Sequence, residues 1–161
     1  MQDITPMLWF DAQAEQAAQL YTSIFPDSRI TDVRRYGSTG PGAEGSVMTV
    51  AFELRGRRFV ALNGGPQYRF TEAVSFVVEC ESQEEVDRYW TALTADGGEE
   101  GPCGWLKDRF GLSWQITPTR LLSLLADADP ERAQRAMAAM LQMRKIEIAE
   151  IERAAAARPA A

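Results

Sequence analysis

The chain opens on an apolar stretch, Ile4 to Phe10 (ITPMLWF), after which apolar residues fall at Ala14, Ala17, Ala18, Tyr21, Ile24 and Phe25. That change from a consecutive to a 3.6-residue pattern predicts a strand leading into an amphipathic helix, which Pro26 and Asp27 stop. Arg29 to Tyr36, Val47 to Leu54 and Arg58 to Asn63 are rich in β-branched and aromatic residues and are separated by Gly-rich turns, which predicts three further strands. The pattern then starts again. Ala73 to Cys80 (AVSFVVEC) reads as a buried strand, and Ser82 followed by Glu85 forms a capping box that opens a second helix. Its inward stripe is Val86, Tyr89, Trp90 and Leu93, and Gly97-Gly98 ends it. Glu99 to Cys103, Trp105 to Phe110 and Leu112 to Thr117 predict three closing strands, the last two joined at Arg109-Phe110-Gly111.

Moving the first half along by 69 residues lays Ala17 on Val86, Leu20 on Tyr89, Tyr21 on Trp90 and Ile24 on Leu93, and also lays Trp9 on Val78. The sequence thus predicts an α+β fold of two βαβββ modules, at about 1–65 and 73–117, related by a repeat of elements more than of residue identity. Past Pro118 the periodicity turns helical. Leu121, Leu122 and Leu125 are followed by Asp129 as N-cap, Pro130 at the first helical position, and a stripe of Ala133, Ala136, Met137, Met140 and Leu141. These C-terminal helices, about 118–143, complete a single domain over 1–143. Residues 144–161 are expected to form a helical or frayed tail, with fraying from Ala154 on. The Met-rich stripe needs cover from its own sheet or from a second subunit, and a homodimer is the expectation.

Composition narrows the partners. The chain has 161 residues, is 45% hydrophobic and 25% charged, and carries a net charge of −6. An acidic chain whose basic residues form no larger cluster than short pairs such as Arg34-Arg35 and Arg57-Arg58 is not built to displace counterions from a phosphate backbone, so no nucleic-acid partner is expected. No apolar run reaches the ~18 residues that cross a bilayer, and Met1 leads directly into strand-like sequence without a leader, so a cytoplasmic protein is expected. Two cysteines, Cys80 and Cys103, are too few for a disulfide framework and are read as thiols.

The segment Gly104-Trp105-Leu106-Lys107-Asp108-Arg109-Phe110-Gly111-Leu112-Ser113-Trp114-Gln115-Ile116 resembles the final-strand block of the glyoxalase and extradiol-dioxygenase group, the vicinal oxygen chelate superfamily. Together with LWFDAQAEQAAQLYTSIFPDSRI, GSVMTVAFEL and ALNGGP it is similar to the PhnB-like branch, often labelled demethylubiquinone methyltransferase-like. The resemblance covers about Met1 to Met143. It implies two modules whose strands curl around a cleft, and usually a dimer. Metal-binding members of the superfamily place His or Glu at four strand positions, which the repeat carries onto Gln115, Leu62 or Asn63, Ser75 and Pro6. Neutral amide and hydroxyl oxygens hold a divalent transition metal poorly, and the chain contains no His, so neither metal nor cofactor is expected.

Strand alternation puts Ser75, Val77 and Glu79 on the cleft face of the fifth strand and Ser113, Gln115 and Thr117 on that of the last. In the first strand, Pro6, Leu8 and Phe10 are given the cleft parity, whereas Trp9, Trp90 and Trp114 are read as core. The expected ligand-binding residues are Phe10, Asn63, Ser75, Trp105 and Gln115, in a mostly apolar pocket with a few amide and hydroxyl groups. Tyr68 and Phe70 are candidates to stack on a flat ligand. Cys103 is near Lys107 and Asp108 in sequence; it is read either as an inert thiol or as a nucleophile, and Asp108 is read as a turn cap. The Gly-rich run YGSTGPGAEGS reads as a hairpin connection long enough to act as a flap, and no Gly-rich strand-to-helix turn that would seat a methyl-donor nucleotide is present. The leading expectation is a non-metal small-molecule binder with an apolar or aromatic ligand. A lyase, isomerase or transferase using Glu79, Lys107 or Cys103 is one alternative, and an interaction protein working through Pro130 to Ile151 is another.

Overall fold

The structure is a computed structural model that describes residues 4–157. It divides between Phe70 and Thr71 into two compact units. In the first, β1 (Met7–Phe10) leads into α1 (Ala14–Ile24), then β2 (Arg29–Arg35), β3 (Val47–Leu54) and β4 (Arg57–Asn63). The sheet order is β1-β4-β3-β2, with β1 parallel to β4 and the other pairs antiparallel. Period-two alternation buries one face of this sheet. Leu8, Phe10, Val50, Phe52, Leu54, Phe59 and Ala61 are buried on it, as are Ala14, Ala17, Ala18 and Tyr21 on the helix. The Tyr21 ring lies 6.1 Å from Phe52, which stacks on Phe59 at 5.4 Å.

This reverses the expected faces of the first strand. Leu8 and Phe10 pack toward the helix, and Trp9 turns to the opposite face, where its Nε1–H donates to the Gly65 carbonyl at 2.8 Å and its ring meets Tyr68 edge-on at 5.0 Å. The cause is one residue of loop. Asp11, Ala12 and Gln13 separate β1 from α1, whereas only Glu81 and Ser82 separate the corresponding strand and helix of the second unit. A shift that superposes the helices therefore misplaces the strands by one position, which exchanges their faces.

The second unit repeats the order with β5 (Ser75–Cys80), α2 (Gln83–Thr94), β6 (Glu99–Glu100), β7 (Trp105–Lys107) and β8 (Ser113–Pro118), in the sheet order β5-β8-β7-β6. The Ser82 hydroxyl accepts from the Glu85 N–H, and the Glu85 carboxylate reaches back to the Glu81 N–H at 2.8 Å, one residue earlier than in the usual box. Val86, Tyr89, Trp90 and Leu93 are buried as predicted, together with Val78, Cys80, Leu106, Trp114 and Ile116 of the sheet. β6 and β7 are shorter than expected because the chain twists out of the sheet at both ends of β7. Cys103 and Gly104 take the left-handed conformation (φ 56° and 82°) before it. After it, the buried Asp108 carboxylate gathers the N–H groups of Phe110 at 2.8 Å and Leu112 at 3.1 Å and the Trp114 indole at 2.9 Å. Asp108 is thus the turn cap the sequence predicts.

Three further helices follow: α3 (Thr119–Leu125), α4 (Pro130–Met140), capped by Asp129, and α5 (Ile148–Ala156). Leu121, Leu124, Ala136, Ile146, Ile151 and Ala155 form their shared core. Residues 144–157 are therefore part of the second unit, and Ala154 to Ala156 are helical instead of frayed, with Ala155 only 1% exposed. The remainder of the expected frayed stretch, including Arg158-Pro159, lies outside the described residues. On α4 the inward position goes to Ala136, while Met137 and Leu141 of the expected stripe are exposed. No helix among the described residues is long and apolar enough to cross a membrane.

Candidate functional site

The two sheets differ on the face turned away from their helices. In the second unit the strand register lines up Glu99, Lys107, Ser113 and Ser75 across all four strands, and beside that row stand Trp105, Gln115 and Val77. This face carries hydroxyl, amide, ammonium and carboxylate groups within one sheet. Gln115 Nε2 donates to Ser75 Oγ at 2.9 Å. The Lys107 ammonium is paired with Glu72 and stands 3.9 Å from Glu99. The hydrogen bond between them holds the Glu72 carboxyl below the usual carboxylate range and raises Lys107 above the usual lysine value.

A pocket of about 470 Å³ opens beside this row. Its lining includes Trp105, Leu106, Lys107 and Ser113 from the sheet, Glu72, and the Gly101–Cys103 turn. Ser113 is 1% exposed, and its hydroxyl has no hydrogen-bond partner among the described residues. Leaving a buried hydroxyl unpaired costs roughly 1–3 kcal/mol, which a bound molecule with a complementary atom would recover. Cys103 shares the lining, half-buried. The ammonium of Lys107, the cation near it in sequence, is already committed to two carboxylates.

Of the residues expected at the site, the structure brings Ser75, Gln115 and Trp105 together on one sheet face and places Trp105 in the pocket wall. Phe10 and Asn63 stand elsewhere, on the helix side of the first sheet. Phe10 is 3% exposed, with its ring against Phe70 at 5.2 Å. The Asn63 amide bonds within its own module, its oxygen accepting from the Ala14 N–H at 2.8 Å and its nitrogen donating to the Val47 carbonyl at 3.0 Å, and the residue lines a hollow of the first unit. Asn63 thereby caps α1, whose own N-cap residue, Gln13, makes no capping bond. The pairing also moves the internal counterpart of Gln115: Gln115 stands opposite Val77 as Val60 stands opposite Met7. Ser113 and Glu72 were not singled out as ligand-binding residues. Ser113 shares the parity of Gln115, which is a readable signal. The Glu72 partnership with Lys107 has no local spacing to betray it.

A metal at the superfamily's strand positions does not fit this donor set. Ser75 and Gln115 are neutral and bonded to each other, and the matching position on β4 is the aliphatic Val60. Among the described residues no three His, Cys, Asp or Glu side chains converge as a possible metal site.

The first unit has its own hollow, of about 560 Å³, between the start of α1 and the Tyr36–Ser46 turn. Asp11, Glu15, Gln16 and Gln67 make it polar. Tyr36 closes one side, donating its hydroxyl to the Asn63 carbonyl at 2.6 Å, and a Cβ added to Gly40 would lie 2.7 Å from the Tyr36 ring. The Gly-rich turn is thus folded onto Tyr36.

Residues 2–117 match the protein family described as 3-demethylubiquinone-9 3-methyltransferase. A PhnB protein from Bacillus cereus is 36% identical, with a TM-score of 0.65 over 73% of this chain and all of that one. Protein PA1353 from Pseudomonas aeruginosa (19% identity, TM-score 0.61, covering 73% of this chain and 98% of that one) shares the fold. So does the fosfomycin resistance protein FosX from Mesorhizobium loti (14% identity, TM-score 0.54, 78% and 98%). No curated protein matches. The family match ends at residue 117, so the helices from Thr119 onward lie beyond it. On a match spanning both βαβββ modules and a relative 36% identical over its whole length, the chain belongs to the PhnB-like family of the vicinal oxygen chelate superfamily.

Proposed function

We propose that this protein binds a small, uncharged aromatic molecule in the pocket of its second unit. The observation that carries the reading is the buried, unpartnered Ser113 hydroxyl on the wall of a 470 Å³ pocket that Trp105 also lines. That volume is within the ~300–1,000 Å³ usual for ligand pockets, and the pairing of an apolar wall with one orienting hydroxyl suits a ring bearing an uncharged oxygen substituent. Trp105 supplies a face for stacking. Glu72, Glu99 and Glu100 outweigh Lys107 on the lining, which disfavours carboxylates and phosphates. The family's description names a quinone, a flat, uncharged, oxygen-bearing ring whose reduced form is aromatic. The reading takes only the ring from that description and concerns binding.

The test is calorimetric titration with 4-methoxyphenol. Trp105→Ala is expected to weaken binding about tenfold, and Ser113→Ala about three- to tenfold. Ser113→Ala is also expected to leave the free protein as stable as before, or slightly more so, because it removes an unpaired buried group. Absence of binding by the wild type, or equal binding by all three proteins, overturns the reading.

A further inference from the structure

The pocket wall at Gly101–Cys103 is held from outside the region that defines the family. The Met143 carbonyl accepts from the Cys103 N–H at 2.8 Å, and the Arg144 carbonyl accepts from the Gly104 N–H at 2.7 Å. These two amides belong to the consecutive left-handed residues that turn the chain into β7. On its other side Gly104 is fixed by its own carbonyl, which accepts from the Ile116 N–H at 2.8 Å. There is no room for a side chain there, since a Cβ on Gly104 would come within 2.8 Å of the Ile116 carbonyl oxygen and 3.2 Å of Ile146.

The segment that supplies those carbonyls, residues 143–148, which follows α4 and ends on the first residue of α5, is in turn latched to α2. The Gln83 amide donates to the Ile146 carbonyl at 3.1 Å and accepts from the Ile148 N–H at 2.9 Å, so one side chain grips the strap on both sides of Glu147. Lys145 pairs with Asp87 on the next turn of α2 and with Glu147 at 3.0 Å, while Ile146 is fully buried in the core of the C-terminal helices. Arg144 stands 3.8 Å from Glu100, itself part of the pocket lining.

We infer that the 143–148 strap is a positioning element of the pocket: it holds Cys103 and Gly104 in the left-handed conformation that shapes the wall, and Gln83 is the residue that holds the strap. A backbone turn with a non-glycine residue at positive φ persists only where its surroundings over-determine it, and here the two strap carbonyls do so. The C-terminal helices are thereby coupled to the site, although the family match stops before them. The role assigned to the pocket rests on the reading above, but the strap can be tested without any ligand.

The test reads the thiols of the full-length chain. Cys103 is half-buried and Cys80 fully buried, so reaction with an aromatic disulfide reports local opening of the wall at Cys103 and global unfolding at Cys80. Gln83→Ala removes both strap bonds and is expected to raise the Cys103 rate about tenfold, with Cys80 still protected. Gln83→Glu keeps the acceptor for Ile148 and loses the donor to Ile146, and is expected to fall between. Gly104→Ala strains the wall directly and is expected to expose Cys103 in the same way. An unchanged Cys103 rate in Gln83→Ala and Gly104→Ala overturns the inference, as does a parallel rise at Cys80, which would make the strap a support of the whole fold. Failure of the wild type to bind 4-methoxyphenol leaves this outcome untouched and overturns only the binding proposal.

Discussion

The two modules share an element order and a sheet order, and their helix-facing sides follow one rule: a continuous buried set in which apolar residues alternate along each strand. Their other faces have little in common. On the first sheet that face presents Met7, Trp9, Val60 and Leu62, with Thr49 and Ala51 beside them. On the second, the corresponding rows present Ser75, Ser113, Lys107, Glu99 and Gln115. The repeat is therefore a property of the packing, and the difference between the copies is where chemistry has room to appear. The second module also carries devices the first lacks, namely a buried carboxylate that organises its last turn and a strap that fixes its pocket wall.

The largest effect should come from Asp108, which has no counterpart in the first module. Asp108→Ala leaves three buried or half-buried N–H donors without their acceptor, and a loss of roughly 3–5 kcal/mol in urea-induced unfolding is expected. A loss below about 1 kcal/mol would mean that water satisfies those donors and that the turn is not built on the carboxylate. In the first module the nearest equivalent is Asn63. Asn63→Ala uncaps α1 and frees the Val47 carbonyl, for an expected cost of about 1–2 kcal/mol. If Asn63→Ala instead left stability unchanged, the residue would be available for the ligand-contact role that the sequence suggests.

The smallest effect concerns charge at the pocket rim. Glu72 has its folded-state pKa lowered and Lys107 has its own raised, each chiefly by the hydrogen bond to the other. The Glu72 contribution is present above the ordinary glutamate value and is lost as pH falls through the lowered one. The Lys107 contribution is present below the ordinary lysine value and is lost as pH rises through the raised one. Between those limits stability should be flat with respect to this pair. Both side chains are solvated, so Lys107→Met should change the acid limb only slightly in a thermal-unfolding series from pH 3 to 7. A large change would mean that the pair is shielded from solvent.

Much of the fold was legible because its signals are local. The Ser82 and Glu85 box, the Val86-Tyr89-Trp90-Leu93 stripe and the Asp129-Pro130 start each lie within one or two turns of helix, and all are found in place. The error on β1 arose at the one place where a distant comparison replaced a local one. The helices align at a shift of 69, but the longer loop before α1 breaks that alignment for the strand, so Phe10 and Trp9 exchanged faces. The Ala-rich end was misread because composition hid the spacing of Ile151 and Ala155, which puts a branched and a small residue on one buried stripe. At the site, Ser75 and Gln115 were accessible from the family resemblance, with alternation giving their shared face. The Glu72–Lys107 pair and the Cys103–Met143 bond were not, since they join residues 35 and 40 positions apart with no repeating pattern between them.

The comparison comes down to which open face takes a ligand. Amide chemical-shift mapping of the full-length chain during titration with 4-methoxyphenol decides it. Perturbations are expected to concentrate at Gly101 to Lys107 and at Ser113, saturating together with a single dissociation constant. Perturbations centred instead on Trp9 and Leu62, or on the Asp11, Tyr36 and Gln67 hollow of the first unit, would contradict it.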